Sequence, residues 1–153
     1  MKLDLTATSK FALAACCACA LSACATAPTK EVISTKAAPA AIGPYSQGIK
    51  FGNLLFLAGQ IPIDPATNQL NTGSIEDQTK LVLENLRAVL TANGMTMDDV
   101  VSTSVFLKDL NDFARMNTLY ATYFKDKPPA RATVQVARLP RDVLVEISAI
   151  AAK

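Results

Sequence analysis

The chain has 153 residues, half of them hydrophobic, with 15 basic and 13 acidic side chains and a formal net charge of +2. That balance suits one domain with a sizeable core and leaves no electrostatic footprint for nucleic acid. Histidine is absent, which removes Ser-His-Asp and Cys-His mechanisms and every His-based metal site. Any chemistry must rest on carboxylates, Tyr, Lys, Arg, backbone amides or water.

All four cysteines, Cys16, Cys17, Cys19 and Cys24, lie near the N-terminus. Cys16 and Cys19 have C-x-x-C spacing, but no second pair follows and their neighbours are Ala and Leu, so a metal or redox role is disfavoured. Lys2 and Lys10 form a basic n-region, and Phe11 to Ala20 a short apolar h-region, the pattern of an export signal. The stretch is too short to span a bilayer, which takes about 20 residues. Leu21-Ser22-Ala23-Cys24 resembles a bacterial lipobox. The expected organisation is a signal over 1–23, cleavage before a lipid-bearing Cys24, a polar tether over 24–30, and a folded domain over 31–153. The product is a lipoprotein anchored to a bacterial membrane and facing the periplasm. The alternative is a plain signal peptide and a soluble periplasmic protein. Residues 1–23 carry Lys2, Lys10 and Asp4, so the mature body is close to neutral.

Glu31 to Thr35 alternates and predicts a first strand. A loop punctuated by Pro39, Gly43 and Pro44 follows. Ser46–Phe51 and Leu54–Ala58 are strands joined by Gly52-Asn53, a hairpin turn. Pro62 to Gly73 is turn-rich. Ser74 is an N-cap, Glu76 and Asp77 favour the helix dipole, and Ile75, Val82, Leu86, Val89 and Leu90 recur at helical spacing up to Gly94. That gives a helix over 75–93. Val100 to Lys108 is strand-like. Phe113, Met116, Tyr120 and Phe124 mark a second helix over 111–124, ended by Pro128-Pro129. Two strands, 131–138 and 143–151, close the domain. The order βββαβαββ is an α+β domain with a mixed sheet and two helices on one face. The uncovered face is apolar enough to require a partner, which predicts a homo-oligomer.

Arg131 and Glu146 each interrupt a segment that otherwise reads as a buried strand, where an unpaired charge is expensive. A tight turn pairing Leu139 with Asp142 sets Gln135 opposite Glu146 and Arg131 opposite Ile150. Alternation then puts Arg131 and Glu146 on one face, about 13 Å apart along the strands. Two side chains reaching inward across that distance leave room for a small carboxylate and a water. The guanidinium of Arg131 suits a bidentate grip on a carboxylate. Partial burial should raise the pKa of Glu146, as suits a proton shuttle. The competing explanation is a structural ion pair between subunits. Asn117 falls on the apolar face of the second helix, where a buried amide needs partners. Arg138 and Arg141 read as solvated charges.

Gly43-Pro44-Tyr45-Ser46-Gln47-Gly48, Gly59-Gln60-Ile61-Pro62, Pro129-Ala130-Arg131, Ala137-Arg138-Leu139-Pro140 and the strand around Glu146 together resemble the Rid family. These are the reactive intermediate deaminases, also called YjgF-like proteins, and the likeness runs from about Val32 to Ala151. It implies a chorismate-mutase-like fold and a homotrimer whose sheets form a central barrel, with sites between subunits. It further implies hydrolysis of 2-imino acids and their enamine tautomers (2-aminoacrylate or 2-iminopropanoate, and 2-iminobutanoate) to 2-keto acids and ammonia, without metal or cofactor. By the same likeness Arg131 anchors the substrate carboxylate, Glu146 activates the attacking water and Tyr45 assists it. Asn117 and Gly59 complete the substrate-binding side, Gly59 by allowing close backbone approach. Thr133 stands where many members have Cys, and Ala58 where a polar residue is common. A non-catalytic periplasmic protein that binds small carboxylates is the alternative. A ribonuclease is less favoured, because no basic stripe is visible.

Overall fold

The computed structural model describes residues 27–153. Cys24, the expected signal over 1–23 and the start of the tether lie outside the described residues. Six strands and two longer helices follow the expected order: β1 (Lys30–Ile33), β2 (Gly48–Phe51), β3 (Leu54–Gln60), α1 (Ile75–Ala92), β4 (Val100–Leu107), α2 (Phe113–Tyr123), β5 (Ala130–Gln135) and β6 (Val145–Ala152). No helix among the described residues is long and apolar enough to cross a membrane.

Local chemistry accounts for the element ends. Phe51 pairs with Leu54 across Gly52-Asn53, with Gly52 at φ 61°, where a Cβ would be strained. The Ser74 hydroxyl accepts from the Asp77 amide at 3.2 Å, and the Asp77 carboxylate accepts from the Ser74 amide at 3.2 Å. This reciprocal box works with Asp in place of the usual Glu. Gly94 ends α1 at φ 67°.

The sheet order is β1-β2-β3-β6-β4-β5, and here the structure corrects the sequence-based pairing. β5 does not form a hairpin with β6. It lies parallel to β4, with Thr103 opposite Arg131 and Leu107 opposite Gln135. β6 inserts antiparallel between β3 and β4, placing Phe56 opposite Ile150 and Phe106 opposite Glu146. The physical reason is the connection. Residues 136–144 are too many for a two-residue turn, whereas α2 supplies the long crossover that parallel neighbours need. β6 also alternates buried and half-buried side chains along its whole length, as befits a strand flanked on both sides. β5 is mostly exposed and sits at an edge. In one chain the sheet is open, with β1 and β5 as its edges, and is not a closed barrel.

Both helices pack on one face. Val82, Leu83, Leu86, Val89 and Leu90 of α1, with Met116 and Tyr120 of α2, meet Leu55, Val105, Leu107, Val145 and Ile147 of the sheet in one core. Each such side chain, fully removed from water, contributes roughly 1.5–3 kcal/mol. The opposite face carries Phe56 and Val134, both more than 40% exposed, beside Ile150 and Glu146.

Candidate functional site

The site residues fall into two groups on opposite faces of the sheet. Arg131 shares its register position with Thr103, a fully buried residue on the helix side. Glu146 pairs with Phe106 on the open side. The single face and the gap along neighbouring strands expected from the sequence are therefore incorrect. They followed from the mistaken β5–β6 hairpin.

The first group surrounds Glu146. Its carboxyl group lies so close to the main chain of β3 that a Cβ at residue 59 would stand 2.0 Å from Glu146 Oε1. Only glycine permits that approach. The β3–β6 register shifts between Leu57 and Gln60, an irregularity at the same place. Ile42, Tyr45, Ala58, Gly59, Ile61, Pro140, Arg141 and Glu146 line a cavity of about 520 Å³. Among the described residues Glu146 has neither hydrogen bond nor ion pair, and burial pushes its pKa up. Tyr45, Gly59 and Glu146 thus lie together in the structure.

Tyr45 is half-exposed, and its hydroxyl accepts from the Ile42 amide at 3.2 Å. The loop that carries it hangs on Gln47, a buried residue that the sequence did not single out. Gln47 Oε1 accepts from the Thr35 amide at 2.6 Å, and Nε2 donates to the carbonyls of Thr35, Ala38 and Pro39 at 3.0, 3.2 and 2.7 Å. One side-chain amide thereby satisfies the main chain at Thr35, Ala38 and Pro39, where no strand pairing does.

The second group holds Arg131 on the edge strand. Its Nη2 donates to Asn117 Oδ1 at 2.8 Å, so Asn117 and Arg131 do meet. The guanidinium carbon lies 4.5 Å from the centre of the Tyr120 ring and 5.6 Å from that of Phe113. The Tyr120 hydroxyl is hydrogen-bonded to Thr103 Oγ1 at 2.7 Å, and burial raises its pKa, with Thr103 and Arg131 opposing. The fork is thus pre-set on an aromatic bed, on a residue that remains exposed. Tyr120 was legible in principle, since Phe113, Asn117 and Tyr120 recur at helical spacing on one side of α2. Thr133 Oγ1 is buried beside this group without a partner.

Arg141 is exposed, as expected, yet it stands in the wall of the Glu146 cavity. It adopts φ 57°, ψ 20°, and Asp142 follows at φ 59°. Arg138 Nε and Nη2 grip the Asp142 carboxylate at 2.7 and 2.9 Å.

An unpaired carboxyl group in a cavity and an outward guanidinium fork define a protein built around a small polar ligand, on a mixed α+β sheet of the YjgF/L-PSP type. The family model described as endoribonuclease L-PSP matches residues 35–153, and the chain belongs to that family. It is 60% identical over 124 residues to a RutC family protein of Pyrococcus horikoshii, covering 81% of this chain and 98% of that one. It is 45% identical over 127 residues to TdcF of Escherichia coli K12, provisionally named a reactive intermediate deaminase, covering 81% and 98%. Among solved structures, E. coli TdcF with bound serine superposes with a TM-score of 0.77 at 44% identity, covering 80% of this chain and 98% of that one.

Proposed function

We propose that this chain is an imine deaminase that converts 2-aminoacrylate or 2-iminopropanoate, and 2-iminobutanoate, to 2-keto acids and ammonia, at sites shared between copies in a homotrimer. The observation that carries this is the Glu146 carboxyl group, half-buried, unpaired among the described residues and raised in pKa. One chain cannot present Arg131 to it, because the two lie on opposite faces. A second copy, seated on the open apolar face, can. Arg131 of one copy then holds the substrate carboxylate while Glu146 of the other orients a water. As the water oxygen bonds to C2, Glu146 takes a proton from it and passes that proton to the imine nitrogen. Glu146 then takes the proton of the new hydroxyl and passes it to the amino nitrogen, and as the C=O bond forms the C–N bond breaks and ammonia leaves. A carboxyl group whose pKa burial pushes up holds a proton more readily than an exposed one, as a group that both takes and returns a proton requires. Tyr45 lines the same cavity.

The test is complementation. Arg131→Gln and Glu146→Gln are each expected to abolish ammonia release from freshly generated 2-iminopropanoate. Chains of the two variants, unfolded and refolded together, should recover roughly a quarter of wild-type activity, because random assembly of a closed oligomer restores that share of sites. No recovery refutes the shared site, and a Glu146→Gln protein that still releases ammonia refutes Glu146 as the group that activates the water. The endoribonuclease named by the family model gains no support from surface charge, since Arg87, Arg115 and Arg138 are each paired with a carboxylate. We further propose that the protein is exported and held by a lipid on Cys24. In that case Cys24→Ser abolishes acyl labelling and empties the membrane fraction, and a wild type already soluble after export refutes it.

A further inference from the structure

The five arginines of the chain divide into two kinds. Arg87 is paired with Glu84, Arg115 with Glu76 and Asp112, and Arg138 with Asp142. Arg131 and Arg141 alone have no carboxylate partner among the described residues, and each stands at one of the two half-sites. For Arg131 the missing anion is the substrate carboxylate. Arg141 poses the same question inside the Glu146 cavity.

The rest of that cavity wall is largely apolar, with Ile42, Ala58, Ile61 and Pro140. A guanidinium without a counter-charge adds nothing to the binding of a short aliphatic side chain, whereas it matches a second carboxylate in charge and geometry. Its backbone is also held at φ 57°, ψ 20°, a left-handed conformation that side chains with a Cβ resist. The fork from Arg138 to Asp142 and the buried Val143 fix the turn on either side. A cavity of about 520 Å³ has ample room beyond a three-carbon imino acid.

We propose that Arg141 is a specificity-determining residue that receives the distal carboxylate of 2-imino dicarboxylic acids, so that the imines of aspartate and glutamate are substrates of this site. The inference rests on the deaminase function proposed above. The reaction is unchanged: water oxygen bonds to C2, the C–N bond breaks, ammonia leaves, and the second carboxylate is not altered.

The experiment generates imines from alanine and from glutamate with amino-acid oxidases, traps them with semicarbazide, and measures how far the full-length oligomer suppresses trapping. Arg141→Asn is the variant of choice, because Asn tolerates the left-handed backbone. The ratio of kcat/KM for the glutamate imine to that for the alanine imine should fall roughly 10- to 100-fold, the worth of a charge-assisted hydrogen bond. Calorimetry on the wild type should also show 2-oxoglutarate binding more tightly than pyruvate, a readout that stands if Arg141→Asn fails to fold. Wild-type protein that accepts the alanine imine but not the glutamate imine overturns the role of Arg141, as does an equal loss on both substrates in the variant. Wild-type protein inert toward both imines overturns the deaminase function itself.

Discussion

Gly59→Ala separates the geometry of Glu146 from the stability of the domain. The new Cβ would stand 2.0 Å from Glu146 Oε1, 3.0 Å from its carboxyl carbon and 3.2 Å from Cγ, while ordinary contact begins at 3.4 Å. The oxygen must therefore retreat by about 1.4 Å. What moves is the end of a flexible side chain on the open face, so the overpacking penalty should fall at or below the low end of the usual 1–3 kcal/mol. Gly59 is not at positive φ, so alanine also gains about 0.4–1 kcal/mol by restricting the unfolded chain. The two nearly cancel, and Tm should move by only a few degrees. Catalysis has no such compensation. A misplacement of about 1 Å at a reacting group costs on the order of 100-fold, or about 2.7 kcal/mol of barrier. The assay is ammonia release from 2-iminopropanoate alongside a thermal melt. Activity within about threefold of wild type refutes a role for Glu146 in its present position. A collapse in Tm with activity lost in proportion shows that Gly59 serves the fold alone.

Glu146→Gln should stabilise the protein in a pH-dependent way. Burial raises the folded pKa above its ordinary 4.5, so wild-type stability falls as pH climbs through the interval between the two values and then levels off. The variant should therefore melt higher than wild type at about pH 7–8, and the difference should vanish below about pH 4. A difference independent of pH would contradict burial as the cause. Arg131→Lys keeps the charge but loses the fork, and is expected to lower kcat/KM about 10- to 100-fold with oligomer mass unchanged by light scattering. A dissociated oligomer with intact pyruvate binding would instead mark an interface ion pair. Gln47→Ala strands the Thr35 amide and the carbonyls of Ala38 and Pro39. Urea unfolding should show a loss of about 1–3 kcal/mol or more, with KM rising as the Tyr45 loop loosens.

Features set by neighbouring residues were legible in the sequence. Gly52-Asn53 specified a hairpin, Ser74 and Asp77 a helix start, and the alternation of periods two and 3.6 the element order. Sheet order was not legible, because whether β6 pairs with β5 or slips between β3 and β4 depends on contacts distant in sequence. The residues between β5 and β6 include Pro140 and Asp142, which resemble a tight turn locally but build a longer one. That single error carried Arg131 onto the wrong face. The choice of Tyr45, Arg131 and Glu146 did not depend on that pairing, because it came from motifs. Gln47 and Tyr120 were missed since each acts through a partner, the loop 35–39 or Arg131, that only the fold brings near.

The strand placement of the two charged residues gives them unequal permanence. β6 is hydrogen-bonded on both sides, so its amides should exchange with solvent only when the whole sheet opens. β5 is bonded on one side and can fray by itself. Hydrogen exchange should therefore rank Glu146 among the slowest amides of the chain and Arg131 well ahead of it. The carboxyl group sits on a strand held from both sides, while the guanidinium rides on an edge strip that a neighbouring copy would be the first to quiet.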